Sequence, residues 1–324
     1  MYKILSIDGG GIRGVIPAVL LQQIEKRTKR PVAELFDLVV GTSTGGILAA
    51  GLTVPKSRTA KTPKFTAEDM LALYVERGCD IFERSFWRGV TSCGGVTDEQ
   101  YDHRPLEKLL KEYLGDATLA DCLAPIVVTS YDIEEREPYF FKTRLAREVK
   151  DRNHMLRDVA RATSAAPTYF EPVVTPSMAQ RSTRRVLVDG GVFANNPAMC
   201  GFSEAVSQGI APADMLVVSL GTGVATREIP YEDARNWGLL GWVRPILSVM
   251  MDGQADSADY HLRQMVPPEG DGRRYFRFDT PLELALDDLD AANAGNIRNL
   301  VTEAEQIVET EAAALDGLVA LLTA

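Results

Sequence analysis

The sequence predicts an α/β fold of three layers, with helices on both faces of a mostly parallel central sheet and a serine raised on a strand-to-helix turn. Two observations carry this expectation. Short apolar runs alternate with stretches of helical spacing from the first residues onward, as in a sheet covered on both faces. Two strand-to-helix junctions are also rich in glycine, Gly9-Gly10-Gly11 and Gly41-Thr42-Ser43-Thr44-Gly45-Gly46. A chain turning sharply out of a strand needs residues without a Cβ there.

Tyr2 to Ile7 reads as the first strand, residues 9–11 as a turn, and Val15 to Thr28 as a helix with apolar residues on helical spacing. Leu35 to Val40 reads as a second strand, interrupted only by Asp37, and Ile47 to Leu52 as the helix after the serine turn. Thr53 to Lys64 mixes Pro55 and Pro63 with Lys56, Arg58, Lys61 and Lys64, a basic surface loop. Thr66 caps a helix expected to reach about Arg84, with Asp69 in its first turn suiting the helix dipole. Further strands are expected at Ile126–Ser130, Val186–Val188, Met215–Leu220 and Arg274–Phe278, and a helix between Met155 and Ala165. Asn196-Pro197 resembles an N-cap followed by proline at the first helical position. Asn296 to Leu322 is mostly helix-forming. No internal repeat is visible, and one domain over 1–324 is the expectation.

The balance of 35 basic against 45 acidic residues, a formal charge of −10, disfavours binding to nucleic acid, which requires many phosphates to be neutralised. Met1 to Ile7 enters a strand directly, without the basic and apolar regions of a signal peptide. No run approaches the roughly 18 apolar residues of a spanning helix, so the expected setting is cytoplasmic, with peripheral contact to a membrane or micelle surface. Cys79, Cys93, Cys122 and Cys200 lie far apart and read as free thiols. No metal cluster is visible, which implies no metal, no cofactor and calcium-independent turnover.

Gly41-Thr42-Ser43-Thr44-Gly45 fits GxSxG between a buried strand and a helix, the setting in which a serine hydroxyl stands clear of its own backbone. The glycine loop Gly9-Gly10-Gly11-Ile12-Arg13-Gly14 satisfies two templates. As GxGxxG it would cradle a dinucleotide, but the second strand then runs into the serine turn instead of ending in an acidic residue for a ribose. As an oxyanion hole it offers backbone amides beside Ser43, with Arg13 steadying the loop or adding positive charge.

The base for the serine has several candidates. His103 in a loop reads as structural or solvent-exposed, and His154 near an arginine-rich helix as a surface group. His261 completes the chain order Ser, Asp, His of an α/β-hydrolase triad, yet Asp259-Tyr260-His261-Leu262-Arg263 looks helical and Ser43 follows only the second strand. Asp189 ends a strand and is followed by Gly190-Gly191, which leaves its carboxylate uncrowded. Asp8 also ends a strand and would orient the glycine loop. A lip for lipid is expected at Ile81-Phe82-Glu83-Arg84-Ser85-Phe86-Trp87 with hinges at Gly94 and Gly95, and the basic loop at 56–64 is expected to meet anionic head groups.

Residues 6–14, Gly41 to Gly45 and Asp189-Gly190-Gly191 resemble, in order and spacing, the three signature blocks of patatin-like phospholipases. Ala162-Thr163-Ser164-Ala165-Ala166-Pro167-Thr168-Tyr169-Phe170 and Val192 to Pro197 are similar to that family too, so the likeness covers about 2–223. The resemblance implies Ser43 as nucleophile, Asp189 as its only base and residues 9–14 as the oxyanion loop. It implies a lipid acyl ester as substrate, hydrolysed through an acyl-enzyme. An acyltransferase using the same intermediate, and a regulatory or effector module gated by a small nucleotide, are the alternatives. The resemblance leaves the oligomeric state and the C-terminal hundred residues without an assignment.

Overall fold

The computed structural model describes residues 1–81, 101–176, 184–266, 268 and 272–324. The expected aromatic lip beyond Ile81, the hinges Gly94 and Gly95, and the expected helix end at Arg84 lie outside the described residues. The described strands are β1 (Tyr2–Ile7), β2 (Leu38–Gly41), β3 (Ile126–Asp132), β4 (Glu137–Lys142), β5 (Val173–Pro176), β6 (Arg184–Asp189), β7 (Met215–Leu220) and β8 (Tyr275–Phe278). They form one sheet in the order β5-β6-β3-β2-β1-β7-β8, with β4 also paired to β3. Pairing is parallel from β3 through β2, β1 and β7 to β8, and antiparallel where β4, β5 and β6 join.

The described helices are α1 (Val15–Thr28), α2 (Val32–Leu35), α3 (Thr44–Thr53), α4 (Ala67–Ile81), α5 (Arg104–Leu114), α6 (Thr143–Glu148), α7 (Leu156–Thr163), α8 (Ala198–Ser207), α9 (Tyr231–Ala234), α10 (Leu239–Met265), α11 (Ala294–Thr310) and α12 (Ala312–Thr323). Successive side chains of a strand point to opposite faces. Accordingly Leu5 and Ile7 of β1 join the larger core, with α1, α3, α4, α11 and α12, while Ile4 joins the smaller one, with Ala198 and Phe202 of α8 and Leu262 of α10. Both faces of the sheet are therefore covered by helices.

Three boundaries differ from the sequence reading. Leu35 closes α2 instead of opening a strand, because the chain folds a turn of helix before β2 begins at Leu38. α3 starts at Thr44, three residues before Ile47, so Gly45 and Gly46 are helical in spite of their low propensity. Pro197 itself is the cap of α8, with the Asn196 side chain accepting from the Ala198 amide, one residue later than expected. The basic loop hangs from the C-terminal end of α3, where Val54 O accepts from the Lys64 amide and Thr53 O from that of Leu123. A ten-residue helix is about 15 Å long, so this loop sits at the end of α3 away from Ser43.

Candidate active site

The register of the sheet explains how the signature residues meet. β1 and β2 are parallel with Ile7 opposite Gly41, so the loops that follow them leave the same end of the sheet side by side. One edge of β3 is fully occupied by β4 over 127–132. On the other edge β2 pairs up to Val128, while β6, running in the opposite direction, pairs from Asp132 down to Ser130. β2 and β6 thus approach each other end to end along one strand. Gly41 and Asp189 close the two approaches only two β3 residues apart, about 7 Å. The antiparallel entry of β6 is what brings Asp189 to Ser43.

Ser43 has φ 55° and ψ −123°, a left-handed backbone that a residue with a Cβ adopts only under strain of about 1–3 kcal/mol. Its neighbours allow the turn. A Cβ on Gly41 would lie 2.3 Å from Gly45 O, and one on Gly45 would lie 2.1 Å from Ile7 O, so the crossing of β1, β2 and α3 admits glycine alone at both places. The Ser43 amide donates to Thr163 Oγ1 at 2.8 Å, and that hydroxyl donates to Thr129 O at 2.7 Å. The Asp189 amide donates to Ala165 O at 3.0 Å. The C-terminal end of α7 and the residues just after it therefore hold both Ser43 and Asp189, a role the sequence reading did not give to Thr163 or Ala165.

The Ser43 hydroxyl lies close enough to the Asp189 carboxyl to favour its ionised form, and Asp189 Oδ1 accepts from the Gly191 amide at 2.7 Å. Asp189 is buried, and burial pushes its pKa up from 3.8 to about 7 against the pull of Ser43 and the Gly191 amide. None of the three histidines lines the cavity into which Ser43 opens. His261 is exposed on α10, and His103 pairs with Glu171 at 2.7 Å. His154, expected on the surface, is buried with Nε2 3.0 Å from the Tyr139 hydroxyl, and burial lowers its pKa to about 4. Tyr139 lies on β4, a strand the sequence reading did not find, so no local signal could reveal that partner.

Asp8 does not face Ser43. Its carboxylate is paired at 2.7 Å with Arg277 of β8, which also binds Asp279 and the Ser219 hydroxyl. Burial raises the Asp8 carboxyl while Arg277 pulls it the other way. In the glycine loop the Gly9 amide donates to Asn195 O, that of Ile12 to Leu289 O and that of Arg13 to Gly10 O. Thr222 Oγ1 donates to Gly9 O at 2.7 Å. Gly9, Ile12 and Arg13 have thus committed their amides. Gly10 and Gly11 line the cavity, and among the described residues their amides have no backbone partner. Gly11 has φ +57°, and a Cβ there would lie 2.2 Å from Leu289 O. Arg13 is buried with Nη1 3.4 Å from Gly223 O and also borders the cavity.

The cavity measures about 1220 Å³, above the 300–1,000 Å³ usual for small-ligand sites. Ile47, Tyr74, Leu106, Phe170, Trp237 and Met250 are among its apolar walls. The cavity opens on Ser43 and Asp189. The patatin-like phospholipase family model matches residues 5–199. Patatin-like protein 2 of Oryza sativa subsp. indica is 32% identical, over 98% of this chain and 86% of its own length. Patatin-like protein 4 of Arabidopsis thaliana is 30% identical, over 96% and 84%. Among solved structures, VipD from Legionella pneumophila aligns over 95% of this chain and 67% of its own, at 13% identity and a TM-score of 0.41. The chain belongs to the patatin-like phospholipase family, whose members are in general lipid acyl hydrolases. No helix among the described residues is long and apolar enough to cross a membrane.

Proposed function

We propose that this protein cleaves fatty acyl esters of phospholipids, lysophospholipids or related lipids through a Ser43–Asp189 dyad and an acyl-enzyme. The observation that carries the reading is an elbow serine set beside a buried carboxyl whose pKa is near 7, both lining one apolar cavity. An ordinary carboxylate is too weak a base for a hydroxyl. Desolvation brings Asp189 to the pH at which it both ionises and holds a proton.

Ser43 Oγ attacks the ester carbonyl carbon as its proton passes to Asp189. The carbonyl oxygen gains the negative charge and is met by the amides of Gly10 and Gly11. Collapse breaks the bond to the alcohol, which leaves with the proton held by Asp189. Water then attacks the acyl-enzyme, gives its proton to Asp189, and the fatty acid departs as Ser43 recovers the proton. The 3₁₀ turn at Gly11–Gly14, which leads straight into α1, keeps the donors fixed throughout.

Labelling with a fluorophosphonate probe tests the nucleophile, together with hydrolysis of a para-nitrophenyl ester series and of phospholipid vesicles. Wild type and His261→Ala are expected to react, and Ser43→Ala and Asp189→Asn to lose more than 99% of turnover while keeping wild-type circular dichroism. Activity that survives Ser43→Ala would sink the proposal. Loss in His261→Ala would replace the dyad by a triad.

A further inference from the structure

α10 opens with a run of unusual composition. Trp237 to Met251 holds a single charged residue, Arg244, in a chain that is 25% charged. Trp242, Ile246, Val249 and Met250 stand at i, i+4, i+7 and i+8, one face of a helix, and all are 37–45% exposed. A buried helix would turn such a face inward. Here Val249 and Met250, at the C-terminal end of that face, also line the cavity that holds Ser43, together with Pro245, Leu247, Ser248 and Met251 of the same turns, while Trp242 and Ile246 stand outside it. Trp237 lines it too, and its ring meets that of Trp242 edge-on at 5.2 Å. Just before the helix, Ile229 and Tyr231 are also exposed, and Ile229 and Pro230 border the same cavity. The outward apolar face is therefore continuous with the inner wall of the site.

We infer that this face, centred on Trp242 and Ile246, is the surface on which the protein docks to a lipid aggregate, and that it fits an uncharged or zwitterionic surface. The inference rests on the acyl hydrolase reading for its substrate. A partner protein would leave the cavity mouth sealed, whereas a lipid surface would feed an acyl chain along an unbroken apolar path into it. Trp and Tyr favour the polar boundary of a bilayer, where an apolar ring and a polar edge are both accommodated. The sign of charge at the mouth selects among surfaces. Among the described residues, Glu228, Asp233, Asp252, Asp287, Asp288 and Asp290 border the cavity, against Arg13 and Arg227. Arg227 is already paired with Asp287 and Asp288. An anionic surface would be repelled there. The basic loop at 53–64 cannot offset this, since it lies at the far end of α3 from Ser43.

The test is co-flotation of protein with phosphatidylcholine vesicles, with and without 30 mol% phosphatidylglycerol (about a third of the lipid made anionic so that its surface potential acts over a Debye length). It uses wild type, Trp242→Glu, Ile246→Glu and Ser43→Ala. Neither Trp242 nor Ile246 lines the cavity, so hydrolysis of a monomeric short-chain ester should stay within about twofold of wild type in both variants. Vesicle binding and vesicle hydrolysis should fall at least tenfold. Ser43→Ala should bind vesicles like wild type, and phosphatidylglycerol should weaken binding. Undiminished vesicle binding by both Glu variants would overturn the inference, as would tighter binding on anionic vesicles. A wild-type dimer that either variant dissociates, seen by sedimentation velocity, would assign the face to a second copy instead. Failure of the wild type on the monomeric ester would count against the hydrolase reading alone, because flotation of Ser43→Ala reads the surface without turnover.

Discussion

Asp189→Asn should destroy activity and stabilise the fold, by an amount that depends on pH. The Asp189 pKa rises from 3.8 to about 7 because the group is buried. That is a shift of about 3 units, or roughly 4 kcal/mol at 1.36 kcal/mol per unit, which the folded state gives up to carry the ionised carboxylate. The sign follows from proton binding. Between pH 3.8 and about 7 the folded state holds a proton on Asp189 that the unfolded state has lost. Stability is therefore fully present below the unfolded pKa and is lost as pH rises through the folded one. Asparagine removes the charge and keeps an oxygen to accept from the Gly191 amide. The variant should match wild type near pH 4, gain about 1.4 kcal/mol per pH unit, and level off roughly 4 kcal/mol more stable above pH 7. Urea unfolding followed by circular dichroism at pH 5, 6, 7 and 8 measures this directly. A variant no more stable than wild type at pH 8 would refute the argument that Asp189 is held as a desolvated base.

Three further outcomes follow from the same geometry. The logarithm of kcat/KM should rise with unit slope below pH 7 and level off above it, since Asp189 must be ionised to take the serine proton; a profile flat from pH 5 to 8 would remove it as the base. Gly11→Ala forces a Cβ against Leu289 O at a positive φ and should lower kcat on the order of a hundredfold, as loss of an oxyanion donor does, with the far-ultraviolet spectrum unchanged. Arg277→Met leaves Asp8 buried beside the glycine loop without its cation and should cost roughly 3–5 kcal/mol in urea unfolding at pH 8, together with turnover on the monomeric ester.

The serine turn was legible because its demands are local. Gly41 and Gly45 are required by contacts within a few residues and by the neighbouring strand, and any such crossing imposes the same pattern. The glycine loop was legible for the same reason, although its sequence could not tell which amides remain unspent, since Asn195 and Leu289 take two of them from far along the chain. β4 escaped notice because Glu137, Pro138 and Lys142 break its apolar pattern, and it forms by pairing along the whole of β3. The opposite direction of β6 was also hidden, because a strand's sequence carries no arrow. Arg277 sits outside every motif. Only the register of β8 beside β7 brings it under Asp8.

The position of β1 in the middle of the sheet carries a consequence for synthesis. As the chain is made, β1 pairs on one side with β2 soon afterwards but waits on the other for β7, and its following loop waits for Arg277 and Leu289. At about 5–20 residues per second, that interval is on the order of tens of seconds. Throughout it, the apolar Tyr2–Ile7 strand has an open edge that invites pairing with other chains, and Ser43 has no finished glycine loop beside it. The loop beside Ser43 is thus complete only once Asn195, Arg277 and Leu289 have all been made.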